Sequence, residues 1–84
     1  MNKKMLEFIT EACGWYGVVA ILGAYALLSF GILDSQHLTY QLLNLSGGIG
    51  IVIDAVADKN TQPAVLNTIW AVIAVIAIIR SFVS

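Results

Sequence analysis

The sequence predicts an all-α membrane protein: a bundle of three transmembrane helices joined by short loops, forming one integral membrane domain over residues 1–84. Three observations predict it. The chain is 60% hydrophobic and only 11% charged, with a mean hydropathy of +0.90. A soluble domain this small leaves much of its chain at the surface and needs far more charge than that. The charged residues also fall so that 12–33, 35–53 and 60–79 carry none, which are runs of 22, 19 and 20 residues. A hydrocarbon core about 30 Å thick takes about 20 residues of helix at about 1.5 Å each. Finally, the runs are separated by short polar segments, Asp34-Ser35-Gln36-His37 and Asp58-Lys59-Asn60-Thr61-Gln62-Pro63. The same composition excludes disorder and a disulfide scaffold, and a single cysteine, Cys13, cannot form an internal disulfide.

Residues 1–11 form an amphipathic N-terminal lead. Met5, Phe8, Ile9 and Ala12 recur at helical spacing, so the lead extends the first helix into the membrane interface. The first span covers about 14–33, with Trp15 and Tyr16 at its start, where aromatic belts lie. A basic start followed by Ala24-Tyr25-Ala26 also has the outline of a cleavable signal peptide. Glu7 and Glu11 interrupt that pattern, and the apolar run continues to Leu33, so the segment reads as a span.

Asp34 or Ser35 is the expected N-cap of the second span, about 38–56. So short a connection makes the first two helices antiparallel neighbours. Asp54 and Asp58 fall at the far end of that span, where a carboxylate costs little, so Asp54 reads as a surface residue rather than a proton carrier. Pro63 suits the first turn of the third span, about 64–79, because its missing N–H is harmless there. Arg80 closes that span at an interface, where its side chain can snorkel.

Lys3, Lys4 and Lys59 fall on one side of a three-span topology and Arg80 on the other. This bias predicts a multi-pass membrane protein with a cytoplasmic N-terminus.

Centring each charge-free run places Tyr25, Asn44 and Trp70 near one plane, with Asn67 a turn from Trp70. Amide, phenol and indole groups in lipid seek hydrogen bonds. Tyr25, Asn44, Asn67 and Trp70 are therefore expected to converge, inside the bundle or at a subunit contact. Such a cluster serves either as a polar solute site or as interhelical glue. Glue, at about 0.6 kcal/mol per bond, is the commoner role in helical membrane proteins. Small residues mark expected helix contacts: Gly17, Ala20 and Ala24 on the first helix, Ser46, Gly47 and Gly50 on the second, and Ala71 and Ala74 on the third.

No chemistry-bearing motif accompanies them. Gly47-Gly48-Ile49-Gly50 lacks the Lys-Ser/Thr of a phosphate loop and lies mid-span. His37 is the sole histidine and has no second ligand nearby for a metal. Cys13 offers only a position for palmitoylation. No nucleophile–base pair can be assembled, no cofactor is implied, and there is no basic stripe for nucleic acid. An enzyme is not expected.

From Gly14 to Arg80 the chain resembles a family of small bacterial inner-membrane proteins with three helices, largely uncharacterised, a few described as permease-like. The carrying residues are Gly17 with Ala24-Tyr25, then Tyr40-Gln41-Leu42-Leu43-Asn44-Leu45-Ser46-Gly47, then Pro63-Ala64-Val65-Leu66-Asn67 with Trp70 and Arg80. The resemblance implies a three-helix bundle in the bacterial inner (plasma) membrane and supplies no activity. A more distant likeness is to three-helix half-transporters, which carry a Pro-Gln pair in their first helix. Here that helix has no proline, and the pair occurs reversed, as Gln62-Pro63, in the second loop.

The leading expectation is a small integral membrane protein acting by self-assembly or as a subunit of a larger membrane complex, with lipid and copies of itself or a larger membrane protein as partners. A homo-oligomeric half-transporter or small channel for a polar solute is the first alternative, and a holin-like pore former the second.

Overall fold

The computed structural model describes residues 2–83. These form three helices, α1 (Lys3–Ser29), α2 (Leu38–Ala57) and α3 (Thr61–Val83), and no strand. All three are long and apolar enough to cross a membrane. The architecture is that of a small multi-pass membrane protein.

α1 begins where the Asn2 side chain accepts a hydrogen bond from the Met5 N–H at 2.8 Å. Its 27 residues extend about 40 Å, more than the hydrocarbon core needs. The N-terminal lead, from Lys3 onward, is thus the first turns of α1 rather than a separate element, and Met1 lies outside the described residues.

α1 ends at Ser29, four residues short of the expected Leu33. Gly31 is the cause. At φ 76 it occupies the left-handed region, the Ile32 N–H reaches the Leu27 carbonyl at 2.9 Å, and the Gly31 N–H reaches Leu28 at 3.1 Å. This paired reversal, a Schellman motif, satisfies the last carbonyls of a helix and turns the chain out of it.

The start of α2 also differs from expectation. Its N-cap is His37, whose Nδ1 accepts from the Thr39 N–H at 3.2 Å. Asp34 instead accepts from the Gln36 N–H at 2.9 Å, closing a turn within the loop. The Gln41 side chain then donates to the Ser35 carbonyl at 2.6 Å and ties the loop to the first turn of α2.

α2 ends on a second Schellman reversal. The Asn60 N–H bonds the Ala55 carbonyl at 2.8 Å and the Lys59 N–H bonds Val56 at 3.1 Å. Here the left-handed position, φ 56, is held by Lys59 rather than by glycine. α3 starts directly afterwards at Thr61, with Pro63 in its first turn, and continues past Arg80 to Val83.

α2 is the centre of the molecule. It packs against both α1 and α3, and α1 and α3 do not meet among the described residues. The bundle is therefore open, with α2 shared between α1 and α3. Its buried positions are small: Gly14, Gly17, Ala20 and Ala24 on α1, Gly47, Gly48, Gly50 and Ala55 on α2, and Ala74 on α3. Most of the large apolar side chains point outward. In lipid that arrangement is favourable, because close backbone packing rather than apolar burial drives helix association.

Candidate functional site

The strongest local feature is the seam between α1 and α2. A Cβ added at Gly50 would overlap the Cys13 carbonyl, and one at Gly17 would overlap the Gly47 carbonyl. At Gly47 it would lie 2.9 Å from the Ile21 side chain and 3.0 Å from the Gly17 carbonyl. The two backbones run in direct contact. The seam toward α3 is looser, since a Cβ at Gly48 would stand 3.4 Å from the Asn67 carbonyl and 3.7 Å from Ala71 Cβ. Adjacent glycines on α2 thus serve opposite neighbours, Gly47 facing α1 and Gly48 facing α3.

A polar link crosses the tight seam. The hydroxyls of Tyr16 and Ser46 share a hydrogen bond at 2.7 Å. Ser46 also approaches the carbonyl of Leu43, at 3.5 Å. Sequence reasoning placed Tyr16 in the aromatic belt beside Trp15 and counted Ser46 as a small packing residue. The signal that could have paired them is their near-mirror position about the 30–37 loop.

The four residues of the expected polar centre separate into two groups within one chain. Asn44 and Asn67 are buried, at 4% and 8% exposure. Tyr25 and Trp70 face outward, at 63% and 42%. Asn67 donates from Nδ2 to the Pro63 carbonyl at 2.9 Å, so its amide is committed within its own helix. Asn44 lies on α2 one turn from Gly47 and Gly48, toward the 30–37 loop.

Depths also shift. α2 has 20 residues with its midpoint between Gly47 and Gly48, a length that matches the hydrocarbon core. Gly48 faces Asn67 and Ala71, which places Trp70 near mid-depth. Gly47 faces Gly17 and Ala20, which places Tyr16 near mid-depth as well. Tyr25 is only four residues from the end of α1, about 6 Å along the axis. It lies near the end of α1 rather than at its middle. The centre of a charge-free run and the centre of a helix differ here because Gly31 stops α1 inside the run.

Toward the opposite end of the molecule, two grooves flank the C-terminal half of α2, and the one facing α1 reaches Val18 on α1 and Ile51 on α2. One, between α1 and α2, is lined by Glu7, Glu11, Asp54 and Asp58 together with Thr10 and Trp15. The Asp54 carboxylate sits where a Cβ on Gly14 would go. It is half-buried, packed against Gly14 of α1 while lining the surface groove. The other groove, between α2 and α3, is lined by Lys59, Asn60 and Thr61 at its mouth and by apolar side chains below. No group of three or more His, Cys, Asp and Glu side chains suited to a metal ion occurs among the described residues.

A family model matches residues 10–84, which takes in most of α1 and all of α2 and α3. The chain belongs to that family. It is a family of small uncharacterised proteins, and membership brings no activity with it. No curated protein and no solved structure matches the chain. Within the family match lie both sides of the glycine seam, Tyr16 with Ser46, the two buried asparagines and Lys59.

Proposed function

We propose that this family member acts by self-assembly or as a subunit of a larger membrane complex, without catalysis. The observation that carries the reading is the open arrangement: α1 and α3 do not meet, so a single chain encloses no pathway of its own. Trp70 supports it, because an indole N–H facing outward near mid-depth finds no partner in hydrocarbon and finds one on a neighbouring protein. The amphipathic first turns of α1, carrying Met5, Phe8 and Ile9, suit the membrane interface. The excess of Lys3, Lys4 and Lys59 over Arg80 supports a cytoplasmic N-terminus, and the resemblance to small bacterial proteins supports an inner-membrane location.

The test is the mass of the purified full chain released from lipid nanodiscs, read across a range of lipid-to-protein ratios. A discrete oligomer, or a stoichiometric complex with another membrane protein, is the expected result. Trp70→Leu is expected to weaken the assembly without lowering helicity. A monomer at every ratio overturns the proposal.

A further inference from the structure

We propose that the groove between α2 and α3 is a binding site for one phospholipid, its phosphate at Lys59 and one acyl chain lying along the helices. The groove has the two-part chemistry such a ligand needs. Its polar end, at the turn after α2, is lined by Lys59, Asn60 and Thr61. Below that end the lining turns apolar through Ala64, Val65 and Ile69. At Thr68 it meets a second stretch, walled by Ile49, Val72 and Ile76 and ending near Leu45. From Val56 to Leu45 the groove follows α2 for about 16 Å, roughly half the hydrocarbon core and so one leaflet deep.

The groove stays apolar through its one hydroxyl-bearing residue below the mouth. Thr68 donates its hydroxyl to the Ala64 carbonyl at 2.7 Å, within its own helix. Ala64 and Ala71 keep the channel hollow where larger side chains would close it.

Charge selects the headgroup. At this end of α2 the carboxylates of Asp54 and Asp58 line the groove toward α1, whereas Lys59 lines the groove toward α3. The backbone adds an independent argument. Lys59 holds a left-handed conformation, φ 56, in a position that glycine occupies at no steric cost. A side chain kept at a strained site is a sign that the side chain has a task.

The proposal is independent of how chains assemble and is tested on the full chain by native mass spectrometry. The protein is equilibrated in mixed micelles with phosphatidylglycerol, with phosphatidylcholine, or with glycerol phosphate, which has the headgroup chemistry without the tails. One phosphatidylglycerol per chain is expected to be retained in preference to phosphatidylcholine, with no retention of glycerol phosphate. Lys59→Gln is expected to lower retention about fivefold, the usual effect of one lysine at an anionic surface, and Lys59→Arg to restore it. Val72→Trp, at a position 52% exposed, is expected to fill the groove and lower retention with Lys59 intact. Lys3→Gln removes the same charge away from the groove and is expected to change nothing. Equal losses for Lys59→Gln and Lys3→Gln would overturn the proposal, as would insensitivity to both Lys59→Gln and Val72→Trp. A second copy of the chain occupying the groove, seen as disulfide dimers of Val72→Cys that form whether or not lipid is present, would overturn it too.

Discussion

Tyr16 and Ser46 meet across the α1–α2 seam at 2.7 Å, beside glycines that bring the two backbones into contact. The bond joins the middles of the two helices and gives each hydroxyl a partner on the other. Tyr16→Phe and Ser46→Ala are each expected to cost about 0.6 kcal/mol, the average for interhelical bonds in membrane proteins. The double variant is expected to cost less than the sum of the two. Reversible unfolding in mixed micelles measures all three, and strict additivity would show that the two hydroxyls do not interact.

The same substitution is expected to have opposite signs at two glycines. At Gly50 an added methyl meets the Cys13 carbonyl, whereas at Gly23 nothing lies within 4 Å. Gly50→Ala is expected to destabilise by about 1–3 kcal/mol through overpacking. Gly23→Ala is expected to stabilise by about 0.5–1 kcal/mol, because it restricts the unfolded chain and improves the helix. Equal effects in the same unfolding assay would remove the close-approach argument.

Lys59 makes the second turn strained. Lys59→Gly is expected to raise stability by about 1 kcal/mol, the cost of a left-handed conformation for a residue with a Cβ. Lys59→Val, with its branched Cβ, is expected to lower stability below that of the original chain. Unfolding midpoints for the pair decide it.

His37 caps α2 through Nδ1, a task for which Asp, Asn and Ser are better suited. His37→Ala is expected to cost about 0.5–1 kcal/mol. His37→Asp is expected to recover that loss, since a carboxylate also favours a helix N-terminus. Amide exchange at Thr39, faster in the first variant and restored in the second, checks the assignment.

The depth of Tyr25 is open to direct measurement. A spin label at Tyr25→Cys in a Cys13→Ser background is expected to be relaxed by a water-soluble paramagnetic reagent, and a label at Val19→Cys to be relaxed by oxygen instead. The reverse order would return Tyr25 to the membrane centre.

The number of spans, the placement of Pro63 and the small-residue composition of the contact faces were legible in the sequence, because each follows from charge, hydropathy or side-chain size. The ends of α1 and α2 were not. A charge-free run records where lipid is tolerated, whereas Gly31 and His37 act through backbone geometry that hydropathy does not register. For the polar centre, residue type and counting along the chain found the buried Asn44 and Asn67 but not the directions of Tyr25 and Trp70. Depth along a helix can be counted, yet whether Trp70 points inward or outward depends on which faces α1 and α3 present to α2. The Tyr16–Ser46 bond escaped because a tyrosine next to a tryptophan at the start of an apolar run has a sufficient explanation as a boundary residue.

Gly47 and Gly48 are consecutive residues that face different neighbours. α2 therefore carries two seams along its length, one toward α1 that includes Gly47, Gly50 and Asp54, and one toward α3 that includes Gly48. Because Gly47 and Gly48 share a peptide unit, a side chain added at either is expected to disturb both seams, whereas one added at Gly50 is expected to disturb the α1 seam first.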